Sequence, residues 1–188
     1  MSNSRHSERS EESLVAREFV THSAEETIAL GRELATQLRP PVLVCLDGEL
    51  GAGKTTMAKG IISGLGAARE EDVTSPTFTL VHVFRKGNPV ILPVPNEAEG
   101  SEAKELPART TAPSSLNVFH VDLYRVSDRH DLETLGLEDV FAEPAIVLVE
   151  WPDRLALRTD WPIVRIKLEH LDGDTRRISI ADDAKPQD

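Results

Sequence analysis

The sequence predicts an α/β fold in three layers, with a mixed, mainly parallel β-sheet and a C-terminal β-hairpin. The first observation behind this prediction is the apolar run 42–46, followed by a glycine-rich loop and then by apolar residues at helical spacing. The second is another apolar run, 145–150, which has the length and composition of a buried parallel strand. The third is a pair of β patterns, 161–169 and 176–181, which a turn at Gly173 joins into a hairpin.

The glycine-rich loop spans residues 48–55 and reads GELGAGKT, which fits the phosphate-binding pattern G-x-x-x-x-G-K-[ST]. Its glycines allow backbone angles that other residues avoid, so the loop N–H groups can turn inward around an anion. The helix that begins near Gly53 adds its positive N-terminal end. The loop therefore predicts a P-loop NTPase-like domain that binds a nucleoside triphosphate.

Two side chains of this loop suit a magnesium triphosphate. Lys54 brings a positive charge to the β- and γ-phosphates, and the hydroxyl of Thr55 is placed to ligate Mg²⁺. Glu150 ends the apolar run 145–150, and a carboxylate in that position holds Mg²⁺ directly or through water in such proteins. We therefore predict that Thr55 and Glu150 share the metal; a strand-terminal glutamate that faces solvent is the alternative.

Composition restricts the class of protein. The chain has 188 residues, 39% of them hydrophobic, which suits one domain with a buried core. Its net charge of −11 argues against binding nucleic acid through phosphate contacts of its own. Cys45 is the only cysteine and lies in an apolar run, so it is interpreted as a core residue of a cytoplasmic protein. No apolar run has the length of a membrane span, and the start of the chain does not resemble a secretory signal. The histidines are scattered singly along the sequence, so the sequence does not indicate a zinc site.

The segment before the glycine-rich loop predicts a strand and a helix. Residues 18–22 have a β pattern. Ser23 and Glu26 form a capping box at a helix start, the apolar stripe continues to Arg39, and Pro40 and the next proline stop it.

Between the helix that follows the loop and Glu150, two features bear on function. A threonine-rich turn at 74–78 occupies the position of a nucleotide-sensing loop; an ordinary polar turn around a proline is the alternative. Strand patterns follow at 79–84 and 117–125. Asp122 lies near the end of the second strand, where α/β sheets place ligand chemistry; a surface aspartate on an edge strand is the alternative.

The domain is predicted to span 18–181, with flexible tails at 1–17 and 182–188. Inside it, 86–115 is rich in proline and glutamate and is predicted to be a disordered insertion.

Two further short helices are predicted at 128–135 and 137–141. Arg176 and Arg177 open the last strand pattern; exposed strand charges are favoured over nucleotide contacts there.

Four blocks, 48–56, 74–81, 120–125 and 148–152, occur in an order that resembles the bacterial TsaE family, formerly YjeE, the ATPase of tRNA threonylcarbamoyladenosine biosynthesis. The resemblance covers roughly residues 19–180. The insertion at 86–115 is longer than the connection that the family has there, and the N-terminal tail is also extra.

The resemblance implies roles for particular residues. Lys54, Asp122 and Glu150 would be catalytic, with Asp122 beside the γ-phosphate and the attacking water. Thr55 and Glu150 would bind Mg²⁺. The ATP-binding residues would be Gly51, Ala52, Gly53, Lys54, Thr55 and Thr56, with Thr27 near the adenine and Thr77 in the switch-like loop.

The resemblance also implies two partners, TsaD and TsaB, which together transfer a threonylcarbamoyl group to adenosine 37 of tRNAs that read codons starting with A. tRNA would be contacted mainly through these partners. A P-loop small-molecule kinase and a non-hydrolysing nucleotide-gated adaptor are the alternatives; a GTPase is disfavoured because the sequence has no Asn-Lys-x-Asp signature.

Overall fold

The structure is a computed structural model, and it describes residues 17–77, 80–85, 116–126, 143–154 and 159–183. Two α-helices lie in these ranges, α1 (Ala24–Ala35) and α2 (Lys54–Gly64). Short 3₁₀ segments cover Glu70–Asp72 and Pro152–Arg154. The strands are β1 (Arg17–Thr21), β2 (Val42–Asp47), β3 (Val81–Arg85), β4 (Asn117–Asp122), β5 (Ile146–Glu150), β6 (Ile163–His170) and β7 (Arg176–Asp183).

These strands form one sheet in the order β1-β7-β6-β2-β5-β4-β3. The central pairs β6–β2, β2–β5 and β5–β4 are parallel, whereas β1–β7, β7–β6 and β4–β3 are antiparallel. The predicted mixed sheet and C-terminal hairpin are therefore confirmed. The parallel pairing that was predicted for most of the sheet is confined to its centre.

Strands β2 and β5 are buried on both faces, which explains why their sequences are continuous apolar runs. On one face, Val44, Leu46 and Leu148 pack against the helices α1 and α2. On the other face, Leu43 and Val147 belong to a second apolar cluster. Both described α-helices cover the same face. The third layer stays a prediction, because the helices predicted at 128–135 and 137–141 lie outside the described residues.

Helix α1 begins as the sequence predicts. The Ser23 side chain accepts a hydrogen bond from the Glu26 N–H at 3.1 Å, and the Glu26 carboxylate accepts one from the His22 N–H at 2.7 Å. The second contact reaches one residue further back than in the usual capping box. The bond to Ser23 satisfies one of the backbone donors that the first turn of a helix leaves open.

The predicted end of this helix at Arg39 is wrong, because α1 ends at Ala35. The backbone N–H groups of Thr36 and Gln37 bond to carbonyls three residues back, at 3.1 and 2.9 Å, which tightens the last turn. Leu38 is nevertheless buried. Its burial in a non-helical segment explains why the apolar pattern continues beyond the helix.

Other element boundaries differ by a few residues. β1 covers 17–21 rather than 18–22. β4 ends at Asp122 instead of continuing to 125, because the chain turns there: the Val126 N–H bonds to the Leu123 carbonyl at 3.0 Å. The predicted tails, 1–17 and 182–188, are wrong at their inner ends, because Arg17 belongs to β1 and Asp182 and Asp183 belong to β7. The rest of both tails, 1–16 and 184–188, and the insertion at 86–115 lie outside the described residues. No helix within the described ranges is long and apolar enough to cross a bilayer.

Helices α1 and α2 touch through their backbones at two glycines. A Cβ atom on Gly60 would overlap the carbonyl oxygen of Ile28 and lie 3.0 Å from the Cα of Gly31. A Cβ atom on Gly31 would lie 2.8 Å from the carbonyl oxygen of Met57. The close approach therefore requires glycine at both positions, and it presses α2, whose first turn follows the glycine-rich loop, firmly against α1.

We predict that Gly60→Ala destabilises the protein by about 1–3 kcal/mol, since overpacking against a backbone atom forces the helices apart. Helix propensity alone predicts the opposite effect, a free energy of unfolding about 1 kcal/mol higher in the variant than in the wild type. Urea unfolding of the variant measures the difference. Lys59→Ala, on the same helix, is the control and should stay within about 0.5 kcal/mol of the wild type. A more stable Gly60→Ala variant would contradict the packing described here.

Candidate functional site

The glycine-rich loop connects the end of β2 to the start of α2. Gly48, Gly51 and Gly53 have φ angles of 145°, 81° and 103°, which favour glycine. A Cβ atom on Gly48 would overlap the carbonyl oxygen of Leu168 on β6, and one on Gly53 would lie 2.9 Å from Nε of Arg176 on β7. The loop is therefore packed closely against the hairpin strands, and its conformation depends on the absence of side chains.

Lys54 is buried, with 5% of its surface exposed, in the first turn of α2. Its Nζ donates hydrogen bonds to the carbonyls of Gly48 and Glu49 at 2.7 and 2.8 Å and lies 3.9 Å from the centre of the Trp151 ring. Burial lowers the pKa of Lys54, an effect that nearby carboxylates, Glu150 foremost, oppose. The lysine is thus a partly desolvated cation, held by the loop that it belongs to.

Thr55 and Glu150 are in direct contact although 95 positions separate them: the Thr55 hydroxyl donates to Oε1 of Glu150 at 2.8 Å. The parallel pairing of β2 with β5 sets Leu46 opposite Glu150, so the end of β5 reaches the start of α2. Glu150 is 3% exposed, so the solvent-facing alternative is wrong. The structure brings the two predicted ligands together, and their metal role stays a prediction.

Asp122 lies beside Glu150, opposite it in the parallel pairing of β4 with β5. Its Oδ2 accepts hydrogen bonds from the hydroxyls of Ser75 and Thr77, both at 2.6 Å, and its Oδ1 accepts one from the Tyr124 N–H at 2.9 Å. Asp122 is 2% exposed and β4 is flanked on both sides, so the edge-strand alternative is wrong. The threonine-rich turn is therefore bound to this carboxylate.

Trp151 directly follows Glu150 and has an unusual backbone, with a φ of 61° that costs a bulky residue energy. Its N–H bonds to the Leu46 carbonyl at 3.3 Å, and its ring packs against Tyr124 with centroids 5.2 Å apart. The conformation places the indole beside the ammonium of Lys54. The sequence indicates a packing anchor as readily as a functional group, and the structure puts Trp151 at the site.

The remaining predicted ATP-binding residues differ in how far they are buried. Ala52 is buried in the loop, and Thr56 is half-buried in the first turn of α2. The hydroxyl of Thr27 donates to the Ser23 carbonyl at 3.0 Å and is 2.8 Å from the Thr21 hydroxyl. Because Thr27 is fully buried in these contacts, its hydroxyl is committed to the start of α1.

Arg176 corrects a sequence-based interpretation. The sequence favours exposed strand charges for both arginines. In the structure Arg176 is half-buried, with its guanidinium against Gly53, and it donates to the Asp174 carbonyl at 2.6 Å. Arg177 is exposed and pairs with Glu169 at 3.5 Å. Alternation along a strand distinguishes their faces, but it does not show which face meets the loop.

Sequence reasoning missed two residues of the site. Ser75 is one, through its bond to Asp122. His120 is the other: it is fully buried, and its Nε2 lies 2.8 Å from Oε1 of Glu150. Two signals were available: Ser75 lies in the threonine-rich turn at 74–78, and the alternation of β4 puts His120 on the same face as Asp122.

The sheet order defines an α/β protein. Its polar site lies where the N-terminus of α2 meets the ends of the central parallel strands, between the glycine-rich loop and the carboxylate at the end of β5. A family model described as "Threonylcarbamoyl adenosine biosynthesis protein TsaE" matches residues 21–93 and 107–178. The chain belongs to the TsaE family. The unmatched residues 94–106 fall inside the proline- and glutamate-rich segment.

Several relatives carry the name tRNA threonylcarbamoyladenosine biosynthesis protein TsaE. That of Bacillus subtilis strain 168 is 31% identical over 159 residues, which cover 85% of this chain and 81% of the relative. That of Aquifex aeolicus strain VF5 is 32% identical over 165 residues, 87% of this chain and 95% of the relative. The crystal structure of Bacillus subtilis YdiB has the same fold, with a TM-score of 0.58 at 24% identity, covering 90% of this chain and 87% of that one.

We predict that Lys54→Met leaves the free energy of unfolding within about 1 kcal/mol of the wild type or raises it, because the variant removes a buried charge. Since folding lowers the pKa of Lys54, the unfolded chain binds its proton more tightly. The stability of the wild type relative to the variant should therefore rise as the pH approaches the ordinary lysine value of about 10.4.

Urea unfolding at neutral and alkaline pH measures both effects, and Lys59→Met, on the same helix but half-buried, is the matched control. A loss of more than about 3 kcal/mol in Lys54→Met, the range for breaking a buried pair, would show that the bonds of the ammonium outweigh its desolvation.

Proposed function

We propose that this protein is a Mg²⁺-dependent ATPase of the bacterial system that forms N6-threonylcarbamoyladenosine at position 37 of tRNAs reading codons that start with A. The observation that carries the proposal is the 2.8 Å contact between Thr55 and Glu150 at the end of the glycine-rich loop. Membership of the TsaE family, and the shared name of the relatives, supply the biological context.

The residues at this contact fit magnesium. Thr55 and Glu150 offer a hydroxyl and a carboxylate, and Mg²⁺ is typically held in nucleotide sites by one or two such oxygen ligands, substrate phosphates and water. The described residues contain no cluster of three or more histidine, cysteine or acidic side chains that would form an all-protein cage. When bound, Mg²⁺ would offset the charge that develops on the phosphates during transfer.

Lys54 is the proposed phosphate-binding cation. Its ammonium now donates to two loop carbonyls, and phosphate oxygens would replace them with stronger, charge-assisted hydrogen bonds. Helix α2 begins at Lys54, so the positive N-terminal end of its dipole lies beside the same ammonium. We assign the ATP phosphates to Gly51, Ala52, Gly53, Lys54, Thr55 and Thr56.

Asp122 is proposed to orient the water that attacks the γ-phosphate. Its neighbour in the β4–β5 pairing is Glu150, so the carboxylate lies next to the proposed metal ligand. The hydroxyls of Ser75 and Thr77 hold one oxygen of Asp122 in place. These bonds connect the proposed water-binding group to the 74–77 turn, so a movement of the turn would change the orientation of Asp122.

The nucleoside is assigned to the side of the loop formed by the hairpin and the leading segment. Arg176 flanks Gly53, and in the pairing of β1 with β7 it lies opposite Thr21. Thr27 is proposed to border the adenine through the shape of the α1 start, since its hydroxyl is already bonded there.

The proposed partners are TsaD and TsaB, in the cytoplasm, with tRNA contacted mainly through them. The net charge of −11 supports this division of roles, because an acidic protein gains little from the phosphates of RNA. ATP turnover by this chain would support repeated cycles of the complex rather than the group transfer itself.

Removing either proposed metal ligand should abolish hydrolysis that depends on Mg²⁺. We expect Thr55→Ala and Glu150→Ala to reduce the rate of phosphate release by at least about 10²-fold, the scale for losing a group that stabilises transferring charge. Thr55→Ser keeps the hydroxyl and is the matched control, expected to retain most activity. Activity that persists in the alanine variants would show that the metal assignment is wrong.

We expect slow ATP hydrolysis by the isolated chain and faster hydrolysis when TsaD and TsaB are added. The loop at 48–55 contains no arginine, and Arg176, which lies against Gly53, is assigned above to the nucleoside side. Steady-state phosphate release, with and without the partners, measures the coupling. Equal rates would remove the proposed dependence on partners while leaving ATP hydrolysis itself intact.

A further inference from the structure

We propose that His120 is a positioning residue of the magnesium site: its imidazole N–H fixes the orientation of the Glu150 carboxylate before metal binds. This inference rests on the proposed function of the site. Its starting point is a contact that neither the loop motif nor the roles assigned above require, the 2.8 Å approach of His120 Nε2 to Oε1 of Glu150.

The fold places this contact in the interior. In the parallel pairing of β4 with β5, His120 lies opposite Leu148 and Asp122 lies opposite Glu150, so His120 and Glu150 are diagonal neighbours on one face of the sheet. His120 is 0% exposed and Glu150 3% exposed. A hydrogen bond made in such surroundings is not weakened by competition from water.

Chemistry decides which group donates. An ionised carboxylate can only accept hydrogen bonds, so Nε2 of His120 carries the hydrogen. The other ring nitrogen, Nδ1, is buried and has no hydrogen-bond partner in the part of the chain that the structure describes. An apolar side chain would fill the same space without leaving such an atom. The bond to Glu150 is what the imidazole adds.

The two donors to Glu150 end on the same oxygen. Thr55 and His120 approach Oε1 from α2 and from β4, respectively, each at 2.8 Å. Rotation of the carboxylate would break both bonds at once. We therefore assign the metal side of the carboxylate to Oε2, with Oε1 acting as the fixed point. Outer contacts of this kind change metal affinity by about 10–100-fold in other proteins.

The test compares three substitutions at His120 in the full chain. His120→Gln can place an amide N–H near the position of Nε2, His120→Asn has an amide that is too short, and His120→Leu has no donor. The probe is Mn²⁺ together with a non-hydrolysable ATP analogue, and the free Mn²⁺ is measured by its electron paramagnetic resonance signal. Binding of the analogue without metal is measured separately.

We expect His120→Leu and His120→Asn to weaken Mn²⁺ binding by about 10–100-fold, with metal-free analogue binding nearly unchanged, and His120→Gln to restore most of the affinity. His82→Leu is the matched control. His82 is also buried, lies directly opposite His120 on β3 and packs edge-on against Phe84. Its removal should leave Mn²⁺ affinity unchanged.

Wild-type Mn²⁺ affinity in His120→Leu, or an equal loss in His82→Leu, would overturn the positioning role and leave the proposed function standing. A wild-type protein that fails to bind the Mn²⁺–analogue complex would instead overturn the proposed function together with this inference. If His120→Leu does not fold, as judged by circular dichroism, the comparison of His120→Gln with His120→Asn decides, because equal affinities in the two would exclude the role.

Discussion

The hydrogen bond between Thr55 and Glu150 is the interaction on which the site depends, and it exists because β2 and β5 pair in parallel in one register. That register brings the last residue of β5 to the N-terminus of the helix that follows β2. A slip of one residue would turn Glu150 to the opposite face of the sheet, away from both Thr55 and His120. The apolar runs that bury both faces of these strands therefore also define the site.

The site concentrates buried charge, and hydrogen bonds offset the desolvation cost. Lys54 has two loop carbonyls and the Trp151 ring, Asp122 has three donors, and Glu150 has two. Groups held in this way need little reorganisation when charge develops nearby, which is the property that electrostatic catalysis requires. The close glycine contact between α1 and α2 also limits movement of the site, because it holds the helix that carries Lys54 and Thr55 against the rest of the fold.

Three different parts of the fold contribute side chains to the site. The loop and α2 supply Lys54 and Thr55, the ends of β4 and β5 supply Asp122 and Glu150, and the hairpin places Arg176 against Gly53. The turn that contains Ser75 and Thr77 is bound to Asp122 alone among these groups. Because these bonds join the turn to Asp122, a movement of the turn would change the orientation of that carboxylate.

The sequence by itself determined the elements and the residues whose role is local: the glycine-rich loop with Lys54 and Thr55, the start of α1, and Glu150 at the end of an apolar strand. These follow from periodicity, glycine backbone freedom and capping, which act over a few residues. Only the tertiary structure decided that His120 bonds to Glu150, that Ser75 bonds to Asp122 and that Arg176 meets the loop. Those contacts join residues on different strands and turns, so strand order and register, which no local pattern encodes, determine them.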